Sequence, residues 1–208
     1  MKKEVDRYKF ENSLWSQGYE RIMGLDEVGR GCLSGPVVAA GVIIGKNGRL
    51  HSKVTDSKTL NKQTRTELAD EIKKEALFWT IQQCTPKEID ELNILHASIK
   101  AMLKCSEAEN GNPDYLLVDG NRFASSMVPH SCIVKGDNLS ASIAAASILA
   151  KVYRDKLMHN LHEKFPHYGW NRNVGYPTKD HFKGLESMGY SKHHRKSFKL
   201  RTEKKLSM

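Results

Sequence analysis

Short apolar runs that end in acidic residues constrain the fold of this 208-residue chain more than any other feature. Three such runs occur, and the acids at their ends are Asp26 with Glu27, Asp119, and Asp137. Short runs rich in branched apolar residues predict buried strands. Because side chains at the ends of neighbouring strands gather along one edge of an α/β sheet, we expect the four carboxylates to lie together.

The rest of the pattern predicts a mixed β-sheet flanked by helices. Residues 22–27 and 36–44 read as strands separated by a short segment with Gly and Ser, which favours an antiparallel pair. Further strands are predicted at 78–84, 115–121 and 131–137, and helices at 61–77, 85–109, 140–164 and 179–188. Strands and helices intermix, so we predict an α/β catalytic domain at 1–165, followed at 166–208 by a small C-terminal helical extension and a basic tail.

Net charge and hydropathy indicate which kinds of partner the protein is expected to bind. The formal net charge of +9 favours a polyanionic partner, most often nucleic acid. No apolar run approaches the roughly 20 residues that span a bilayer, and the N-terminus lacks the apolar core of a signal peptide. We therefore expect a soluble, cytoplasmic protein without a membrane partner, and nothing in the sequence indicates an obligate assembly beyond a monomer.

Four carboxylates at one sheet edge predict a metal site. Close carboxylates stay ionised only with cations between them or with raised pKa values. Oxygen-only ligation selects Mg²⁺ or Mn²⁺ over zinc, and two such ions would clamp the attacking and leaving oxygens in phosphodiester hydrolysis. A single Asp after a strand is commonly a turn residue or helix cap instead. In addition, adjacent strand residues face opposite ways, so Asp26 and Glu27 share a metal only if the backbone twists.

Longer motifs resemble a known family. The segments that carry the resemblance are GLDEVGRGCLSGPVVAAGV, DSKTL, LNILHASIKAM, LLVDGN, KGDNLSASIAAASILAKVYRD, GYPTKDH and HHRKSF. Together they run from about Gly24 to Phe198, and they resemble ribonuclease HII, the bacterial type 2 ribonuclease H. The resemblance implies a ribonuclease H-like fold and two-metal cleavage of the RNA strand of RNA–DNA hybrids. It also implies nicking 5′ to a single ribonucleotide in duplex DNA, leaving 3′-hydroxyl and 5′-phosphate ends.

The resemblance also assigns roles to individual acids. The metal-binding acids of the family fall on Asp26, Glu27, Asp119 and Asp137, the same residues that the strand-end pattern indicates. Asp155 matches a further family acid, which either supports the site or forms a structural ion pair. His181 matches a family histidine, and its position at a helix start is equally consistent with a structural role.

Substrate-binding residues are implied in the same way. In the family, a Gly-Arg-Gly turn grips the ribonucleotide at the RNA-to-DNA junction, and here that turn is Gly29, Arg30 and Gly31. Backbone amides can bind a 2′-hydroxyl whatever the base, and Arg30 can reach a phosphate. A glycine-rich turn with a solvated arginine is the alternative from the tripeptide alone.

Two more segments match family substrate contacts. Tyr176 matches the tyrosine that packs on the deoxyribose after the ribonucleotide, although an aromatic loop residue is more often part of a core. Ser57 and Lys58 match phosphate-contacting positions, with a solvated basic loop as the alternative. The basic tail after Phe198 contains no aromatic residue, so no sliding-clamp motif is predicted.

Two other functions compete with this interpretation. One is a different nuclease or a resolvase on the same fold, since strand-end acids recur there. The other is a noncatalytic module that binds RNA–DNA hybrids. Four acids in a binding module would repel phosphates unless metals were present, so the sequence favours a hydrolase.

Overall fold

The structure of the protein is a computed structural model that describes residues 6–46, 48, 50, 54, 60–124 and 126–198. The strands are β1 (Ile22–Val28), β2 (Val37–Ile43), β3 (Phe78–Cys84), β4 (Tyr115–Asp119) and β5 (His130–Ile133). The α-helices are α1 (Lys9–Ser16), α2 (Lys62–Glu75), α3 (Pro86–Ser106), α4 (Ala141–Lys164), α5 (Trp170–Asn173) and α6 (Lys179–Met188). Short 3₁₀ helices occur at Gly136–Asn138 and Pro166–Tyr168.

The strands form one mixed sheet in the order β3-β2-β1-β4-β5. β1 pairs antiparallel with β2, as predicted, and parallel with β4. Every residue of β2 is buried, because helices cover both faces of the sheet. Side chains from α2 and α4 pack on one face and side chains from α3 on the other. The α/β prediction with a mixed sheet flanked by helices is confirmed.

Local sequence signals explain where the helices begin. The side chains of Asn61, Ser140 and Thr178 accept a hydrogen bond from an amide in the first turn of α2, α4 and α6. Thr85 and Glu88 form a capping box at the start of α3. α3 ends at Ser106 rather than near residue 109, and it contains a kink at Asn93, whose φ is 64°.

The strand predicted over 131–137 is too long. β5 ends at Ile133, and Lys135 adopts a left-handed conformation with φ 58° before the 3₁₀ helix that contains Asp137. A strand cannot include such a residue. Asp137 is therefore placed by a turn beyond the strand and not by the strand end itself.

Helix α4 crosses β1 in unusually close contact. A Cβ on Gly24 would lie 2.2 Å from the carbonyl carbon of Ser142 and 2.4 Å from the amide of Ile143. The first half of α4 consists mainly of Ala, Ser and Ile, which are buried against the sheet. Small side chains on both partners thus allow the helix backbone to lie directly on the strand that carries Asp26 and Glu27.

The described residues after α4 pack against its second half. Met158 on α4 contributes to a buried cluster with Leu33, Tyr168, Trp170 and Leu185. Ser34 also forms a bridge with His194. The helical character of this region is as expected, whereas its division from residues 1–165 as a separate domain stays a prediction. No helix within the described ranges has the length and apolar character needed to cross a membrane.

A buried carboxylate ties α1 to the start of α4. Glu11 is 1% exposed, and its Oε1 accepts hydrogen bonds from the Ser140 hydroxyl (2.6 Å), the Ser142 hydroxyl (2.7 Å) and the Ser142 amide (3.0 Å). A negative charge at a helix N-terminus is also favoured by the helix dipole. This contact fixes the end of α4 that follows Asp137.

We expect Glu11→Ala to lower the free energy of unfolding by about 1–3 kcal/mol, because it leaves buried donors without their acceptor. Urea denaturation of the variant and of the exposed control Glu20→Ala measures the difference. Equal stability of the two variants would contradict the role assigned to Glu11.

Candidate active site

Two of the predicted acids lie side by side at the carboxyl ends of parallel strands. The last paired residues of β1 and β4 are Leu25 and Val118, so Asp26 and Asp119 follow directly at the same edge. The side chain of Asp26 is 6% exposed and lies on the α4 face, where Ser147 forms a hydrogen bond with it. The strand-end prediction is therefore correct for this pair of positions.

Asp137 joins them through the turn after β5. The amide of Gly136 donates a 2.7 Å hydrogen bond to Oδ1 of Asp119, which ties the residue before Asp137 to that carboxylate. Oδ1 of Asp137 accepts a hydrogen bond from the Asn138 side chain at 3.0 Å. A Cβ on Gly136 would lie 2.6 Å from Ile143 of α4, so the close turn requires glycine.

Glu27 reaches the edge from the other face of the sheet. It follows Met23 and Leu25, which pack against α3, and it lines a cavity of about 280 Å³ together with Asp119, Arg30 and residues of α3 and the β4 end. β1 continues to Val28 without interruption, so the alternation of side chains is kept. Asp26 and Glu27 thus approach one edge from opposite faces.

The carboxylates of the site lie close enough for the charge of one to affect the pKa of another. Burial, together with the negative charges of Glu27 and Asp119, raises the pKa of Asp26 well above its ordinary value. Oxygen-only donors of this kind suit a hard divalent cation. In the part of the chain that the structure describes, no group of three or more His, Cys, Asp or Glu side chains already has the arrangement of a metal site.

The Gly-Arg-Gly turn lies next to these acids and to Tyr176. Arg30 Nη1 forms an ion pair with Glu27 Oε1 at 3.1 Å, and half of the Arg30 side chain is exposed. A Cβ on Gly31 would lie 3.8 Å from Cε1 of Tyr176, with no other atom within 4 Å. The amide of Leu33 donates to the carbonyl of Gly175 at 2.8 Å, which joins the turn to the loop that carries Tyr176.

The hydroxyl end of Tyr176 is partly buried, whereas other parts of the residue are exposed. The residue is 39% exposed. Burial of the hydroxyl end, followed by the nearby Cys32 thiol, raises the pKa of Tyr176. The alternative of a core tyrosine is therefore not what the structure shows. Cys32 was not singled out in the sequence, although it directly follows the glycine-rich turn.

Asp155 lies in an ion-pair network. Its carboxylate contacts Lys151 Nζ at 2.7 Å and Arg65 Nη1 at 3.5 Å. These contacts fit the ion-pair alternative, and a further role in the site stays a prediction. Ser57 and Lys58, the remaining predicted substrate contacts, lie outside the described residues.

His181 belongs to a buried hydrogen-bonded chain. Its Nδ1 lies 2.9 Å from the carbonyl of Tyr176 and must donate, so its Nε2 accepts. That nitrogen receives Trp170 Nε1–H at 3.2 Å and His194 Nε2–H at 3.1 Å, while His194 Nδ1 accepts from the amide of Ser191. Each step is consistent only with neutral imidazoles, so both histidines are structural supports for the Tyr176 loop.

Sequence reasoning missed two arginines behind the Gly-Arg-Gly turn. Arg154 and Arg195 are 0% and 1% exposed, and both donate to backbone carbonyls of residues 29–36. Arg195 lies in HHRKSF, a segment that bears only on the family resemblance. The sequence offered one signal for a buried Arg195, which is the aromatic Phe198 three residues later. The Arg195 guanidinium lies 5.1 Å from that ring.

Comparison with known proteins decides the family. The sequence profile described as Ribonuclease HII matches residues 23–201. The chain belongs to the ribonuclease HII family. It is 48% identical over 194 residues to the ribonuclease HII of Salinibacter ruber, covering 91% of this chain and 96% of that protein. It is 50% identical over 180 residues to that of Christiangramia forsetii, covering 86% and 90%.

Solved structures of the family have the same fold. A chain in the PCNA–RNase HII complex from Archaeoglobus fulgidus superimposes with a TM-score of 0.75 at 28% identity, covering 87% of this chain and 96% of that one. Ribonuclease H2 from Pyrococcus horikoshii gives a TM-score of 0.75 at 24% identity, covering 88% and 95%. The expected ribonuclease H-like fold is confirmed, and the chain is a metal-dependent ribonuclease H that acts on RNA–DNA hybrids.

The histidine chain predicts a pH effect on stability. Burial is the main cause that lowers the pKa of His194 to about 4, and the neighbouring His181 is the second cause. The unfolded chain binds a proton near pH 6.5, so this contribution to the free energy of unfolding is complete above about pH 6.5 and is lost as pH falls toward about 4. We expect His194→Gln to have a shallower loss over that window than the parent. Urea denaturation at several pH values across this window measures the free energy of unfolding, and the exposed His167→Gln is the matched control. If the free energy of unfolding falls with the same slope in all three proteins, His194 is not the group responsible.

Proposed function

We propose that this chain nicks duplex DNA on the 5′ side of a single embedded ribonucleotide, in addition to cleaving the RNA strand of hybrids, and leaves 3′-hydroxyl and 5′-phosphate ends. The observation that carries this proposal is the contact between the Gly-Arg-Gly turn and Tyr176, with Gly31 beside the Tyr176 ring. The turn supplies amides that can bind a 2′-hydroxyl. The adjacent ring supplies an apolar surface for a sugar that lacks one.

Asp26, Glu27, Asp119 and Asp137 are the proposed ligands of Mg²⁺ or Mn²⁺. Their support is the sheet edge shared by Asp26 and Asp119, the hydrogen bond from Gly136 to Asp119 and the pKa of Asp26, which burial and the charges of Glu27 and Asp119 raise. Two divalent ions bound there would supply Lewis-acid stabilisation of the attacking and leaving oxygens. The chain itself holds the carboxylates in place from β1, β4 and the turn after β5.

Substrate contacts are proposed for residues around these acids. Arg30, half exposed beside Glu27, would bind the phosphate next to the ribonucleotide. Gly29, Gly31 and Tyr176 would read the sugars on either side of the junction. Ser57 and Lys58 are proposed to bind phosphates of the flanking duplex, and Asp155 and His181 to act in secondary roles through the residues that they contact.

A labelled duplex with one ribonucleotide tests the activity. With Mg²⁺ or Mn²⁺ we expect a nick 5′ to the ribonucleotide, and none with chelator. Asp119→Asn should reduce cleavage by more than about a hundredfold while hybrid binding persists, since even outer partners of metal ligands cost roughly 10- to 100-fold. The exposed Asp70→Asn on α2 is the matched control. Cleavage of long hybrids without any nick at the ribonucleotide would overturn the proposal, and cleavage surviving in Asp119→Asn would remove Asp119 from the ligand set.

Junction reading predicts a substrate-dependent loss in Tyr176→Ala. We expect kcat/KM on the single-ribonucleotide duplex to fall by about tenfold more than on a long hybrid, equivalent to about 1.4 kcal/mol of contact with the deoxyribose. Tyr153→Ala on α4 removes a ring of similar exposure, 41%, and should affect both substrates equally. Equal losses on the two substrates for Tyr176→Ala would count against its role at the junction.

A further inference from the structure

Two buried arginines lie behind the Gly-Arg-Gly turn without carboxylate partners. Neither the Arg154 nor the Arg195 guanidinium forms an ion pair with the residues that the structure describes, although both side chains are almost fully buried. A buried charge is costly unless hydrogen bonds replace those it made to water. The arrangement around these two groups therefore has to compensate that cost.

Backbone carbonyls provide the compensation. Arg195 donates to the carbonyls of Gly29 (2.7 Å), Arg30 (2.9 Å) and Gly35 (3.0 Å). Arg154 donates instead to the carbonyls of Ser34 (3.0 Å), Pro36 (3.0 Å) and Val174 (2.8 Å). Arg195 alone thus binds two consecutive peptide groups of the turn that the proposed function assigns to the ribonucleotide.

The geometry of the peptide bond fixes where the amides of the turn point. In a trans peptide the N–H lies opposite the C=O, and no cis peptide occurs in the described residues. Because the carbonyls of Gly29 and Arg30 are directed at the Arg195 guanidinium, the amides of Arg30 and Gly31 are directed away from it. Those two residues are exposed, and within the described ranges neither amide donates a hydrogen bond.

The glycine at position 29 is required by this arrangement. Its φ is 93°, and a Cβ there would lie 2.2 Å from Nε of Arg154. Gly31, by contrast, has open space apart from the Tyr176 ring. The first glycine thus makes room for the Arg154 side chain, and the second leaves room on the exposed side.

We propose that Arg195 is a positioning residue for ribonucleotide recognition, because its guanidinium holds the Gly29 and Arg30 carbonyls and so presents the Arg30 and Gly31 amides to the ribose. Its positive charge also polarises these peptide groups and strengthens their amides as donors. This inference rests on the proposed function of the same turn. It assigns the discrimination between ribose and deoxyribose to a residue that does not touch the substrate.

The test measures binding by the full chain in an Asp119→Asn background, which prevents cleavage. Dissociation constants are compared for two duplexes of one sequence, one all-DNA and one with a single ribonucleotide, and their ratio is the ribonucleotide preference. We expect Arg195→Lys to lower that preference by about tenfold, since a lysine ammonium cannot reproduce the fork of donors. Arg154→Lys, equally buried but bonded to other carbonyls, should lower Tm and keep the preference.

The possible results distinguish a failure of the role proposed for Arg195 from a failure of the proposed function. A parent that prefers neither duplex overturns the proposed junction reading and this inference with it. A parent with a preference that a folded Arg195→Lys variant retains overturns the inference alone.

A second measurement needs no substitution at Arg195. In the same background, ¹⁵N resonances of the Arg195 guanidinium should move when the ribonucleotide duplex binds and stay when the all-DNA duplex binds, because only the first ligand engages the amides of its peptide partners. Resonances of Arg154 should respond alike to both duplexes. Equal movement of the Arg195 resonances with both duplexes would overturn the proposal, even if Arg195→Lys fails to fold.

Discussion

The contact between helix α4 and strand β1 at Gly24 is the constraint on which the rest of the structure depends. The backbone of the helix lies directly on the strand, because neither partner has a large side chain at the crossing. From this contact the two ends of α4 acquire fixed positions relative to the sheet edge. Its N-terminus follows Asp137, its middle brings Ser147 to Asp26, and Arg154 donates to the carbonyl of Ser34, beyond the Gly-Arg-Gly turn. A single close approach therefore positions an acid, the hydrogen-bond partner of an acid and a buried arginine that binds the segment after the turn.

Acidic and basic side chains occupy different positions around this edge of the sheet. The chain is basic overall, with a formal net charge of +9, yet carboxylates are concentrated at the strand ends, where burial and the charges of Glu27 and Asp119 raise the pKa of Asp26. Behind the neighbouring turn, two guanidinium groups are buried among carbonyls rather than acids. The carboxylates thus lie together at the sheet edge, while the two buried guanidinium groups hold backbone carbonyls behind the turn.

The C-terminal segment completes the site from a distance in sequence. Arg195 binds carbonyls of residues 29 and 30, and His194 and His181 support the loop of Tyr176. Neutral histidines suit this position because a protonated pair would place two donors against each other. The segment after α4 consequently acts on the turn and on the tyrosine through hydrogen bonds rather than through solvated charge.

Much of the fold and of the site followed from local sequence. Alternation and branching of apolar residues predicted β1 to β4 closely, and caps such as Thr85 and Thr178 marked helix starts, because these signals depend on neighbours within one turn. The shared edge of Asp26 and Asp119 was predictable because neighbouring parallel strands end there, while their role in the site stays a prediction. The tertiary structure alone decided what depends on distant partners: the end of β5 at Ile133, the opposite faces of Asp26 and Glu27 and the burial of Arg154 and Arg195. A guanidinium is polar in sequence, and only a fold that surrounds it with carbonyls turns it into an interior residue.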